Sequence, residues 1–143
     1  MNPKTLESKW QKKWAEAKAY ESEPGGAKEK YFVNCPYPYM NGYLHLGHAF
    51  TYLRADMVSR YQRMQDKNVL FPFAFHCTGT PIVAAAQRVE EGEETQIKAL
   101  KQMGLSDTLI KKFSKPEEWT KHFPDKAIQD LKKFGTSIDW RRS

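Results

Sequence analysis

Twice between Tyr31 and Ile82 the chain passes from a short apolar run, through a turn-rich loop, into a helix-forming segment. Tyr31-Phe32-Val33-Asn34-Cys35 and Val69-Leu70-Phe71-Pro72-Phe73-Ala74-Phe75 are rich in the aromatic and β-branched residues of buried strands. Pro36-Tyr37-Pro38-Tyr39-Met40-Asn41-Gly42 follows the first run. Proline cannot donate a ladder hydrogen bond and Asn-Gly tolerates positive φ, so a loop is expected there. Thr78-Gly79-Thr80-Pro81 follows the second, with Thr80 the expected N-cap and Pro81 the first helical residue. Between them, Phe50, Leu53, Met57, Tyr61 and Met64 form one stripe of a helix ending near Gln65-Asp66. The order β–loop–α–β–loop–α predicts an α/β fold on a right-handed parallel βαβ unit, with ligand at the C-terminal strand ends.

The flanks read as helices. Leu6, Trp10 and Trp14 recur every fourth residue from Pro3 to about Tyr20, a helix expected to pack both tryptophans on a core. Glu23-Pro24-Gly25-Gly26 breaks it. Beyond the acidic joint Glu90-Glu91-Gly92-Glu93-Glu94, Gly104 is an expected helix stop and Ser106 a cap. Ser114 to Glu118 starts another helix, Gly135 ends the last one, and Ile138-Asp139-Trp140 is extended or turn-like. The parts are a leading helix and linker (1–29), a βαβ nucleotide-binding core (30–89) and a mostly helical segment (90–143).

An apolar content of 40% is enough for a core and excludes the low hydrophobicity of disorder. No apolar run reaches the roughly 18 residues of a membrane span, and the Lys-rich start lacks a signal peptide's apolar stretch, so no membrane partner and a cytoplasmic location are expected. Cys35 and Cys77 are too few for a disulfide scaffold and are expected as small buried residues. The net charge of +6 favours a polyanionic partner. Lys111, Lys112, Lys121, Lys132 and Lys133 are RNA-contact candidates, although lysines spread over helices are more often solvent-facing.

The chemistry concentrates between Pro36 and His48. His45 and His48 lie three apart at a loop-to-helix junction, on one side of the first turn, with Gly47 between them. A glycine there lets something approach the backbone closely. The helix start adds free N–H groups and partial positive charge, together a phosphate site. Two other readings stand beside it: metal ligation, with His76 a possible third ligand and His122 a poor one, and simple capping of the helix.

Pro38-Tyr39-Met40-Asn41-Gly42-Tyr43-Leu44-His45-Leu46-Gly47-His48 resembles the "HIGH" signature of class I aminoacyl-tRNA synthetases, in the subclass for leucine, isoleucine, valine and methionine. Three further stretches resemble leucyl-tRNA synthetases of the archaeal and eukaryotic cytosolic type: Pro36 to Gly42, Leu70 to Ile82, and Asp139-Trp140-Arg141-Arg142-Ser143. The likeness runs from the Lys9–Trp14 helix to the C-terminus. It implies an incomplete Rossmann-like catalytic domain, the first βαβ half with parallel strands plus a helical C-terminal segment.

The resemblance implies an ATP-dependent leucine–tRNA ligase, forming leucyl-adenylate and passing leucine to tRNA(Leu) in translation. ATP would arrive with Mg2+, and the protein would hold no metal site of its own. His45 and His48 are the expected catalytic residues. Pro38, Asn41, His45, Gly47 and His48 are expected at ATP, and Tyr37, Tyr39 and His76 at leucine. Bacterial relatives commonly carry aspartate at the His76 position.

The Lys-Met-Ser-Lys-Ser loop of the family does not occur in the sequence. Nor does anything resembling its editing domain, second catalytic half or anticodon-binding bundle. The chain is therefore expected to need the remainder of the enzyme, in cis or as a second chain, and to be inactive alone. The alternatives are a synthetase for methionine, valine or isoleucine, or a non-catalytic nucleotide- or RNA-binding fragment.

Overall fold

The computed structural model describes residues 2–143. They form two compact units, one of residues 2–37, 45–74 and 129–143, the other of residues 38–44 and 75–128.

In the first unit, Asn2 caps α1 (Pro3–Glu16) by accepting the Lys4 N–H at 3.0 Å, and Pro3 opens the helix. β1 (Lys30–Phe32) pairs in parallel with β2 (Asn68–Leu70), Tyr31 opposite Val69, and α2 (Leu46–Met64) lies between them in sequence. The parallel β-α-β order is as expected, but the strands are shorter than the apolar runs. After the Val33 N–H bonds the Leu70 carbonyl at 2.9 Å, the ladder stops. Pro36, Pro38 and Pro72 have no N–H with which to extend it.

α2 departs further from expectation. Its predicted stripe faces solvent: Phe50 is 66% exposed, Met57 69% and Met64 81%. The buried residues of the helix are Tyr52, Asp56 and Ser59. Asp56 accepts the Ser137 N–H at 2.5 Å and the Arg60 Nε–H at 2.7 Å. Arg60 donates onward to the Gly135 carbonyl at 2.5 Å, and Arg63 to the Ser137 hydroxyl at 2.8 Å. The helix is thus held by a satisfied polar network, which a buried carboxylate requires. Trp10 also differs from expectation: it is 46% exposed, while Trp14 is half-buried against Tyr20 with Arg60 over its ring.

The unit's C-terminal segment is pinned through Asp139, which is buried. It accepts N–H groups from Ser22 at 3.0 Å and from the Arg141 side chain at 2.9 and 3.0 Å. Burial alone would raise its pKa; Arg141 and the backbone donors outweigh that and hold it below the usual carboxylate range.

The second unit contains α3 (Thr80–Glu90), α4 (Glu94–Gln102), α5 (Asp107–Lys112) and most of α6 (Pro116–Lys133). Its core gathers Met40, Ile82, Leu100, Phe113, Trp119 and Phe123. Trp119 has 0% exposure, and its Nε1–H donates to the Phe113 carbonyl at 2.6 Å. Ser106 caps α5 as expected, through the Leu109 N–H at 3.3 Å, and Gly104 ends α4 at φ +80°. α3 begins one residue early: Gly79, at φ +98°, is its N-cap and Thr80 is already helical, because only glycine adopts that φ freely. Cys35 is buried as expected, but Cys77 is exposed.

Candidate functional site

The expected site residues fall in both units. Tyr37, His45, Gly47 and His48 belong to the first, and Pro38, Tyr39, Asn41 and His76 to the second.

In the first unit, the two histidines cap α2 reciprocally. His45, the N-cap, accepts the Gly47 N–H on Nδ1 at 3.1 Å; His48 accepts the His45 N–H on its own Nδ1 at 3.2 Å. Their rings lie 4.0 Å apart between centroids. A nitrogen that accepts an N–H is unprotonated, so each neutral ring carries its proton on Nε2. Among the described residues neither Nε2 has a hydrogen-bond partner. His45 is exposed and His48 half-buried. Burial, and secondarily the neighbouring His45, lowers the His48 pKa below the ordinary 6.5, which favours the neutral donor. The cap therefore presents two N–H donors at the positive end of a 19-residue helix, an arrangement suited to an anion.

Gly47 has a defined reason in this geometry. A Cβ there would sit 3.0 Å from Cε1 and 3.1 Å from Nδ1 of His45. The His45 ring thus lies against the open face of this glycine. Behind the pair, His48 stacks toward Tyr52 at 5.9 Å, and Tyr52 meets Phe73 edge-on at 4.9 Å. Tyr37 also packs against Phe73, at 5.9 Å and 64°.

In the second unit, Tyr39 and His76 form a stacked pair, 4.5 Å between centroids and 11° between planes. The backbone places them. The His76 N–H donates to the Pro38 carbonyl at 2.8 Å and the Met40 N–H to the His76 carbonyl at 3.2 Å, a single parallel bridge. Both side chains are exposed, with Tyr39 at 42%, so the pair offers a flat aromatic surface and ring polar groups. Pro38 is buried and works through its carbonyl, whereas Asn41 is exposed. The Gly79 cap at φ +98° would bring a Cβ within 3.9 Å of the Tyr39 ring.

Among the described residues no group of three or more His, Cys, Asp or Glu gathers where a metal ion could be held. The lysines proposed for RNA have mixed surroundings: Lys121 pairs with Glu118 at 2.7 Å, and Lys132 lies over Trp140 at 5.6 Å. Sequence reasoning missed the network of Asp56, Arg60 and Arg63. The signal was present as charged residues at i, i+4 and i+7, a second stripe about a quarter turn from the apolar one.

A parallel β-α-β unit of this kind is part of a Rossmann-like class I synthetase catalytic domain. Residues 9–143 match the family model for class I tRNA synthetases (I, L, M and V), and the chain belongs to that family. It is 48% identical over 139 residues to the leucine–tRNA ligase of Aeropyrum pernix, covering 97% of this chain and 14% of that protein. It is 49% identical over 115 residues to the leucine–tRNA ligase of Nanoarchaeum equitans, covering 80% of this chain and 12% of that one. Its fold matches a LeuRS of Agrobacterium radiobacter K84, solved as a ternary complex with tRNA and LeuAMS. The TM-score is 0.69 at 24% identity, over 94% of this chain and 14% of that one. The chain thus spans about one seventh of the length of the relatives it matches. Among the described residues no helix is long and apolar enough to cross a membrane.

Proposed function

We propose that this chain is the part of a leucine–tRNA ligase that supplies the first ATP signature and one side of the leucine pocket. The reciprocal His45–His48 cap carries the reading, because it directs two imidazole donors outward from a helix N-terminus. The names of the archaeal relatives select leucine within the family.

In this reading a leucine carboxylate oxygen attacks the α-phosphate of ATP, giving leucyl-adenylate and releasing pyrophosphate. A ribose hydroxyl at the end of tRNA(Leu) then attacks the leucyl carbonyl and AMP leaves. The enzyme forms no covalent bond, so its residues act by positioning and by stabilising charge. His45 and His48 donate from Nε2 to the triphosphate as charge moves toward pyrophosphate. Gly47 keeps the His45 ring in place, with Pro38 and Asn41 beside the nucleotide. Tyr39 and His76 border leucine, with Tyr37 supporting the loop. Mg2+ comes with ATP, held by phosphate oxygens and water. The remaining catalytic parts come from the rest of the enzyme, and the 143 residues alone are inactive. The site of action is the cytoplasm.

The test is a chimera in which residues 1–143 replace the matching segment of the Aeropyrum pernix relative. Leucine-dependent pyrophosphate exchange is expected. His48→Ala should lower its maximal rate about a hundredfold, the scale of one lost oxyanion-type donor, and change leucine KM little. Exchange driven better by methionine, valine or isoleucine overturns the leucine assignment. Equal losses in rate and leucine binding overturn the role of His48.

A further inference from the structure

The second unit holds its loop of residues 38–44 on either side of Asn41-Gly42 and leaves that pair untied. Before it, the Met40 side chain is buried at 0% exposure and the Met40 N–H donates to the His76 carbonyl at 3.2 Å. After it, Tyr43 packs edge-on against Phe123 at 5.3 Å, and its hydroxyl lies 3.4 Å from Nε2 of His122. Asn41 itself is exposed. Among the described residues neither its carboxamide nor the Gly42 N–H has a hydrogen-bond partner. An Asn-Gly pair in this state can react with itself, since glycine has no side chain to shield its nitrogen.

The other asparagines of the chain are Asn2, Asn34 and Asn68, and each is restrained. Asn2 precedes Pro3, whose ring nitrogen carries no proton to lose. Asn34 accepts the N–H of the next residue, Cys35, on its Oδ1 at 3.0 Å, and Cys35 is buried. Asn68 donates to the Glu23 carbonyl at 2.6 Å and accepts from the Ser22 hydroxyl at 2.6 Å. It also precedes the buried, β-branched Val69. Only at Asn41 do an exposed amide, an unengaged following N–H and a glycine coincide.

We propose that Asn41-Gly42 is a site of spontaneous deamidation in the loop that leads into the His45–His48 cap. Hydroxide removes the Gly42 amide proton, and the nitrogen attacks the side-chain carbonyl carbon of Asn41. The carbon–nitrogen bond of the carboxamide breaks, ammonia leaves with a proton taken from water, and a cyclic succinimide remains. Water then opens either carbonyl of that ring. One opening gives aspartate. The other gives isoaspartate, whose backbone runs through the former side-chain methylene. Solvent supplies every reactant, so the step needs neither an enzyme nor an oxidant. Both products add a carboxylate. Isoaspartate also lengthens the backbone between Met40 and Tyr43, which are both anchored, so one anchor must give. The consequence for catalysis rests on the proposed place of Asn41 beside the nucleotide, where a carboxylate opposes the triphosphate charge. The chemistry itself does not rest on it.

The chain and the chimera are incubated in mildly alkaline buffer, folded and in guanidinium chloride, and each asparagine is followed by peptide mass spectrometry. Isoaspartate is counted by enzymatic carboxyl methylation. Asn41 of the folded proteins should convert within about fivefold of its rate in denaturant, because nothing in the loop protects it. Asn2, Asn34 and Asn68 should remain amides over the same time. Slower conversion of Asn41, or faster conversion at any other asparagine, overturns the site. Asn41→Gln should remove the methylation, since the longer side chain closes its ring reluctantly. In the chimera, leucine-dependent exchange should fall in step with Asn41 conversion, while the Asn41→Gln chimera holds its own starting rate. Decay that the glutamine does not prevent overturns the effect on catalysis. Mass spectrometry needs no activity, so a chimera without leucine exchange counts against the functional reading and not against this one.

Discussion

His48 accepts the backbone N–H of His45 on Nδ1 at 3.2 Å, while His45 accepts the N–H of Gly47 on its own Nδ1 at 3.1 Å. Each imidazole spends its acceptor on the helix start and keeps its donor for something outside it. Two otherwise unpaired helix N–H groups are satisfied, and the tautomers are set by the same bonds.

Gly47→Ala should disturb this arrangement through the His45 ring, 3.0 Å from the added Cβ. Loss of the His45 cap should cost about 1 kcal/mol of stability, read from urea denaturation of the isolated chain. In the chimera, pyrophosphate exchange should fall about tenfold in rate. Wild-type exchange by the variant would show that the ring position is immaterial.

Acidification should weaken the cap. The folded-state pKa of His48 lies below its ordinary 6.5, so the unfolded chain takes up the proton first as pH falls. The stability contribution is therefore complete above about 6.5 and diminishes below it, until the folded form is protonated as well. NMR titration of His48 should give a midpoint below that of free histidine. A midpoint at or above 6.5 contradicts the neutral tautomer.

Asp56→Ala should destabilise the first unit, leaving the Ser137 N–H and the Arg60 Nε–H without their acceptor. The expected loss is about 2 kcal/mol, below that of a fully buried ion pair because the Arg60 side chain keeps 37% exposure. A shift of the urea midpoint is the measure. Met57→Ala, one residue away on the exposed side, should change it little.

Trp119→Leu should cost the second unit about 3 kcal/mol, from lost ring volume and the orphaned Phe113 carbonyl. Thermal unfolding of the isolated chain reports it. An unchanged melting temperature would falsify the central place given to this residue.

His76→Ala should remove the stacking partner of Tyr39, now 4.5 Å away, and raise the leucine KM of the chimera several-fold with less effect on the ATP KM. A change confined to ATP would move this pair from the leucine side to the nucleotide side.

The local elements were legible because their causes are local. Asn2 and Pro3 start α1, Ser106 starts α5, and Gly104 and Gly135 end helices at positive φ. The parallel β-α-β order and the His45 helix start follow equally from turn residues and periodicity. The lengths of the strands did not follow, since a ladder depends on partners and on prolines falling at its ends.

The sequence by itself determined that α2 has an apolar stripe and a charged one, and that His45, Gly47 and His48 stand at its start. Only the tertiary structure decided which stripe is inside. Periodicity reports two faces but carries no sign, and Asp56 could be buried only because Ser137, from the far end of the chain, brought an N–H to it. The roles of the two Nδ1 atoms were decided in the same way, by bonds whose geometry spacing alone does not specify.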